Sequence, residues 1–509
     1  MLLTAVCIVL LIVLILEWFL NRRSRARAFW KIPGRRGTLI FGNCLDVVET
    51  PDVLFKKLRK WANSYKDLYR QWIFPYGVVH IYNPNDIEVI ISNSKYNTKS
   101  LLYDFLRPWL RDGLLLSKGN KWQVRRKILT PSFHFNILQH FTTIVEENSS
   151  RLIRNLAKGE IEQTLDAVPL MSDVTLNSIC ETSMGTKLDE DTSGAGKIYK
   201  NSIHEIGKLI IYRIARSWLV FDTIFHLTKE GRRQKQVLKI IHEFPKKIIE
   251  ERRSYIESHG FEIPTSDLNE DVVLGPLKRK MAMLDLLLFA EKDGLINEDG
   301  IQEEVDTFMF EGHDTTAMGL TYALLELANN PAIQDKVARE LNDIFSESTR
   351  TASIHDLGQM KYLESCIKET LRLYPPVPFI SRYLTDGLIL SGHSIPPGMT
   401  LCHIHIFDLH RREDLYPEPL SFNPDRFAPE NCISRHPYAY IPFSGGSRNC
   451  IGQRFAMMEM KSVLSAILRQ FILLPVTNRS ELEFTTDLVL RTTHPIYVKF
   501  VRRNNVNLQ

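Results

Sequence analysis

The spacing of apolar positions changes along the chain, and each change predicts a different element. Leu2 to Leu20 is almost wholly apolar, with Glu17 and Trp18 near its far end. Nineteen residues just span a bilayer core as a helix. Pro33-Gly34 then stops any helical continuation. Leu68 to Phe74 and Gly77 to Tyr82 alternate as strands around a Pro75-Tyr76 turn. Asn83-Pro84 follows as an N-cap with proline at the first helical position. From about Asn120 to Leu341 the period is mostly helical, interrupted at Ser266 to Lys280, where polar, irregular sequence predicts an exposed loop. One helix is expected from near Asn297 to Asn329, ahead of Pro331, and would span roughly 50 Å. Gly387 to Thr400 reads as short strands and turns, and Glu483 to Val501 alternates like a hairpin. The fold class is mainly α with a minor β-sheet region at one side.

Basic residues give the first apolar run an orientation. Arg22, Arg23, Arg25, Arg27, Lys31, Arg35 and Arg36 follow it, and no Lys or Arg precedes it. The positive-inside rule then places Met1 in the lumen and the rest of the chain in the cytosol. A cleaved signal peptide is disfavoured, because Glu17, Trp18 and Phe19 occupy the zone where small residues would mark cleavage. The expected organisation is a transmembrane signal-anchor helix over 1–21, a basic, proline-containing hinge over 22–36, and one catalytic domain over 37–509. No repeat or low-complexity tract divides that domain. Net charge is only +5, which gives no reason to expect nucleic acid as a partner. Seven cysteines are scattered without a Cys-x-x-Cys pair and their count is odd, so a disulfide framework or structural zinc site is not expected.

Residues 442–454 read Pro-Phe-Ser-Gly-Gly-Ser-Arg-Asn-Cys-Ile-Gly-Gln-Arg. Adjacent glycines allow a tight turn and close approach of backbone to a flat ligand. Arg454 to Leu468 has helical spacing, so Cys450 is expected just ahead of a helix N-terminus, whose unpaired N–H groups favour a thiolate. A thiolate is an iron ligand that pushes electron density toward O–O cleavage. Arg448, two residues earlier, is suited to a carboxylate. Phe443-x-x-Gly446-x-Arg448-x-Cys450-x-Gly452 resembles the haem-binding signature of the cytochrome P450 superfamily. The resemblance implies the P450 fold, with haem b as cofactor and Cys450 as its axial metal ligand.

Other residues take their expected roles from the same resemblance. Glu369 and Arg372 share a helix face in Lys-Glu-Thr-Leu-Arg-Leu, and Arg426 lies in Pro424-Asp425-Arg426-Phe427. In the superfamily such residues form a buried structural network behind the thiolate loop. Trp122 and Arg126 stand one turn apart, and Arg382 follows Pro375-Pro376-Val377-Pro378. With Arg448 they are the expected partners of the two haem carboxylates. A cluster of Lys121, Arg125, Arg126 and Lys127 suits an acidic docking partner as well as it suits an ordinary solvated face.

Within the predicted long helix, residues 304–316 read Glu-Val-Asp-Thr-Phe-Met-Phe-Glu-Gly-His-Asp-Thr-Thr. Glu311, Asp314 and Thr315 stand at i, i+3 and i+4, which predicts one shared face. The superfamily assigns proton delivery to the acid–alcohol pair, here Asp314 and Thr315. The whole string resembles family 4 of the cytochromes P450, including insect-like members. That implies hydroxylation of fatty acids or related lipids at or near the chain end, and a covalent haem ester through Glu311. It also implies electrons from NADPH through cytochrome P450 reductase, cytochrome b5 as an accessory partner, dioxygen and a lipophilic substrate, and a microsomal, endoplasmic-reticulum membrane location. The alternatives are a terpenoid, hormone or xenobiotic hydroxylase of the same family and, more remotely, a reductase-independent isomerase or a haem sensor. Neither remote alternative needs the acid–alcohol pair. Pocket walls are expected from Leu101 to Ser117, Ser202 to Phe225, Val377 to Ile380, and Leu488 to Leu490.

Overall fold

A computed structural model describes residues 2–22, 24–38, 41–73, 76–188, 193–260, 281–346, 348–398 and 400–503. Side chains at 2, 3, 17–22, 24–26, 135, 136 and 193 are outside this description. The turn expected around Pro75 is partly outside the described residues, and the loop expected at Ser266 to Lys280 wholly so.

The centre of the molecule is the helix Glu298–Asn329. Its start is fixed by Asn297, whose side chain accepts from the Gly300 N–H at 3.0 Å, and by Glu298 and Asp299 against the positive helix end. It stops where Pro331 opens the next helix. Nearly every side chain between Gly300 and Ala328 is buried, so the helix is surrounded rather than amphipathic. It packs most extensively on Ala167–Ser183, with Lys361–Leu373 and Gln453–Gln470 on other sides.

Among the described residues the strands form four small sheets rather than the one side region expected. β1 (Leu68–Ile73), β2 (Tyr76–Ile81), β4 (Phe379–Leu384) and β7 (Thr400–His405) form one in the order β1-β2-β7-β4, with β2 and β7 parallel. β3 (Glu162–Asp166), β8 (Phe471–Pro475) and β11 (Tyr497–Arg502) form a second, and β5 (Leu388–Leu390) pairs with β6 (His393–Ile395). The C-terminal hairpin is shorter than expected. β9 (Phe484–Thr485) pairs with β10 (Arg491–Thr492), but β11 leaves to lie between β3 and β8. Pro495 lacks the N–H that would continue the hairpin ladder, and Val498 and Phe500 are fully buried in the new sheet.

The N-terminal segment starts as the helix the sequence expects and then joins the fold. Leu2–Arg22 is helical, and its apolar side chains from Val6 to Leu16 are largely exposed. Among the described residues, however, no helix is long and apolar enough to cross a membrane. Within the stretch expected as a hinge, Phe29 and Ile32 are buried against the four-stranded sheet, and Gly34 bridges to Arg70 of β1. A Cβ on Gly34 would stand 2.4 Å from the Arg70 carbonyl oxygen, so only glycine lets the chain pass there.

Candidate active site

Cys450 ends a loop that the sequence ties to itself. Its N–H donates to the Phe443 carbonyl at 3.0 Å, and Ser444 and Gly446 both have positive φ. A Cβ on Gly446 would lie 2.0 Å from the Ile91 oxygen, so this glycine is required by contact as well as by conformation. The loop feeds the helix Gln453–Gln470, whose N-cap is Gly452. Cys450 therefore stands two residues before the cap, one residue nearer the helix than a start at Arg454 would place it. Its side chain is accessible and lines a cavity. Burial pushes its thiol up to about 11, Glu311 adds to the rise, and the Gly452 N–H only partly offsets it. The helix end alone does not make a thiolate here; a metal cation on the sulfur would.

The cavity holds about 310 Å³ and reaches from Cys450 to the long helix. All four expected wall segments contribute: Leu102, Leu106 and Leu114 from the first, Ile211 and Ile214 from the second, Val377 to Ile380, and Leu488 with Val489. Phe308, Phe310, Glu311, Gly312, Thr315 and Thr316 present the long helix to it. Asp314 does not line it, which corrects the expectation of one shared face. The cavity-facing arc of the helix takes in Thr315 and Thr316 and leaves Asp314 on its far edge. Asp314 turns instead to Arg491, whose guanidinium donates to both carboxylate oxygens at 2.5 and 2.7 Å. Burial opposes the charged carboxylate, but Arg491, with His313 and His204 nearby, holds Asp314 below its ordinary range. Arg491 also faces Asp487 at 3.4 Å. Asp487 does line the cavity, and burial pushes its carboxyl up to about 6. The sequence reading missed both residues, because nothing in the alternation of residues 483–501 marks them as partners of the long helix. Thr315 at present donates to the Glu311 carbonyl at 2.7 Å, the bond a mid-helix threonine ordinarily makes.

The cations expected to bind haem carboxylates gather at one end. Arg448 stacks 4.1 Å from the centre of the Trp122 ring and donates to the Ser117 carbonyl at 2.7 Å. Arg126 donates to the Asn449 carbonyl at 2.9 Å and to its side-chain oxygen at 2.8 Å, which fixes the residue next to Cys450. Arg382 is buried behind Tyr103 rather than on the cavity surface, and its strand bridges to Lys99. Lys99, which the sequence reading did not single out, lines the cavity with its ammonium 4.6 Å from the Tyr103 ring. Burial lowers Lys99 well below the usual lysine range, and Arg382 and Arg448 lower it further. Arg448 is lowered to about 10 by burial, then by Arg382 and Arg126. Its Nε is buried without a hydrogen-bond partner. Four cations that repel one another, with a donor to spare, fit a ligand bearing carboxylates. Haem, with two carboxylates, an iron for Cys450 and an apolar face, has that chemistry.

Two further expectations separate. Glu369, Arg372 and Arg426 do come together: Arg372 donates to both Glu369 oxygens at 2.7 and 2.9 Å, and Arg426 lies 3.3 Å from Glu369. The basic docking cluster does not stand free. Lys121 pairs with Asp112 and Glu303, and Arg125 is buried facing Glu303 and Glu304, leaving Lys127 exposed.

The cytochrome P450 family model matches residues 32–500. The chain therefore belongs to the cytochrome P450 family, whose members use haem b with iron held by a cysteine thiolate, and it is a monooxygenase. Its relatives lie in family 4. It is 40% identical over 460 residues to human cytochrome P450 4V2, covering 88% of this chain and 85% of that one. It is 38% identical over 505 residues to Drosophila melanogaster cytochrome P450 4c3, covering 97% and 93%. A probable cytochrome P450 4ac1 from the same fly is 39% identical over 469 residues, covering 92% and 90%.

Proposed function

We propose that this monooxygenase hydroxylates fatty acids or related lipids at a membrane surface, with Cys450 as the iron ligand. The observation that carries the reading is that Cys450 and Thr315 line one largely apolar cavity. Trp122, Arg126, Arg448, Lys99 and, from behind Tyr103, Arg382 would hold the haem carboxylates. Bound there, haem supplies reductive activation of dioxygen for insertion of one oxygen atom into a C–H bond. Leu102, Leu106, Ile211, Ile214 and Leu488 exclude water and present only apolar contacts to a substrate chain. Thr315 Oγ1 can turn from the Glu311 carbonyl to hand a proton into the cavity. Asp314 remains charged against Arg491 and steadies that turn of helix. Asp487, with its carboxyl near 6, is placed to take up and return a proton close to neutral pH.

Membrane binding is supported by two exposed apolar surfaces. One is the leading helix from Val6 to Leu16, followed by the basic segment. The other is Trp218, Val220, Phe221, Ile224 and Leu227, a patch too apolar for a surface meant only for water. We assign the protein to the cytosolic face of the endoplasmic reticulum, with an NADPH-dependent flavoprotein reductase as electron donor and cytochrome b5 as accessory. The catalytic domain is the chain beyond the basic segment. The first test is the spectrum of reduced, carbon monoxide-bound protein. It should show the red-shifted band that gives the family its name, and Cys450→Ala should lose it; survival of the band would overturn the assignment of the ligand. Turnover of a panel of fatty acids and terpenoids with NADPH and reductase tests the substrate. Turnover of terpenoids alone would overturn the lipid reading.

A further inference from the structure

The four-stranded sheet behind the cavity wall contains a feature that haem chemistry does not use. His80 of β2 stands opposite His403 of the parallel neighbour β7, and His405 follows two residues later on the same face. All three imidazoles are buried on a face they share with Tyr69, Gln71, Phe379 and Ser381, while Val79, Ile81, Cys402 and Ile404 fill the opposite face with apolar side chains. One ring nitrogen from each lies within 4.8 Å of the other two. We propose that His80, His403 and His405 bind a divalent transition metal of the zinc type, clamping β2 to β7.

The surroundings supply the outer contacts such a site needs. Metal-bound histidine offers one nitrogen and donates from the other to an oxygen that fixes its tautomer. His80 Nε2 lies 2.9 Å from Gln71 Oε1, which leaves Nδ1 as the ligating atom. His405 Nδ1 lies 3.4 Å from Asp408 Oδ2, which leaves Nε2. Those two free nitrogens, His80 Nδ1 and His405 Nε2, already face each other at 2.7 Å. Metal–nitrogen bonds of about 2.0–2.1 Å in a tetrahedron would open that gap to about 3.3 Å, replacing the hydrogen bond between them. Arg59, 3.3 Å from His405 Nδ1 and ion-paired to Asp408 at 3.0 Å, would shift its donation wholly to the carboxylate.

The hydrogen-bond accounts point the same way. His403 Nε2 is buried without a hydrogen-bond partner, and so are Tyr69 Oη and Gln71 Nε2 on the strand that pairs with His80. Such orphans gathered around one spot mark an ion or ordered water. The site also touches the catalytic cavity through one layer. Phe379, a cavity residue, has its ring 5.9 Å from His403 and 6.3 Å from His405. Ile406, the next residue along, lines the cavity as well.

The test uses haem-loaded full-length protein purified without a polyhistidine tag, and Zn2+ alone as probe. After equilibration and dialysis, wild type should retain one zinc per chain, with thermal unfolding raised by Zn2+ but not Mg2+. His403→Gln and His405→Gln should lose both, while the exposed His140→Gln retains them. Zinc absorption-edge scattering from wild type, which needs no variant, should show a first shell of three imidazole nitrogens. Failure of wild type to retain zinc, equal retention by His403→Gln, or an oxygen-only shell would overturn the proposal and leave the cluster as hydrogen-bonded histidines with water.

Discussion

Two charged regions of this molecule are built to opposite rules. Behind the cysteine loop, Glu369 and Arg372 are entirely buried and amply hydrogen-bonded, with only the Nε of Arg426 beside them lacking a hydrogen bond. Arg372 donates to Glu369 and to the carbonyls of His410, Pro419 and Ser421, while Glu369 also accepts from the Asn423 N–H. At the cavity the charges are short of partners. Glu311 has no side-chain hydrogen bond among the described residues, burial pushes its carboxyl up to about 7, and Arg448 keeps a donor unused. A saturated network holds a fold in one geometry; an unsaturated one has capacity left for a ligand or a proton.

The comparison is broken most severely at its saturated end. Glu369→Ala strands the Arg372 charge and should cost about 3–5 kcal/mol. The urea midpoint and the fraction of protein retaining haem would both fall, and a near-wild-type midpoint would show that the network is dispensable. Next is Thr315→Ala, which should leave haem and substrate binding intact while coupled product drops roughly tenfold or more. Peroxide released per NADPH consumed is the measurement, and an unchanged ratio removes Thr315 from proton delivery. Glu311→Ala sharpens the other side. If its free carboxyl forms the ester expected from family 4, acid–organic extraction after turnover should leave haem on wild type and free it from the variant. Complete release from both would restrict Glu311 to packing.

The smallest effect separates burial from function. Glu459 is buried on Gln453–Gln470, neither oxygen has a well-formed hydrogen bond, and burial pushes its carboxyl up to about 8 against an ordinary 4.5. A raised carboxyl stabilises fully below its unfolded value, and that contribution is lost as pH rises through the folded value. Wild type should therefore lose stability between about pH 5 and about pH 9, and Glu459→Gln should flatten the curve. Parallel unfolding curves for the two proteins would exclude Glu459 as the cause.

What was legible in the chain follows the range of the forces involved. The long helix could be bounded closely because its signals are local: Asn297 caps it and Pro331 ends it. The cysteine loop could be read because its glycines, arginine and thiol lie within a dozen residues. Partnerships across the fold could not. Lys99 is unremarkable in Asn-Thr-Lys-Ser until β4 carries Arg382 beside it. Arg491 reaches Asp314 from 177 positions away, and that pairing turns the acid from the cavity. Alternation gave β11 its strand character but not its neighbours, since both candidate sheets offered an apolar face. The histidines at 80, 403 and 405 became a cluster only through the parallel register of β2 and β7.

The Asp314–Arg491 pair has a consequence for how such an enzyme diversifies. Leu488 and Val489 shape the space a substrate must enter, and Arg491 is two residues beyond them on the same short segment. An insertion, deletion or backbone shift that retunes this wall also moves the guanidinium that restrains the acid on the central helix. Changes of substrate made at this wall are therefore coupled to the central helix, because the same segment holds Asp314 in its ion pair.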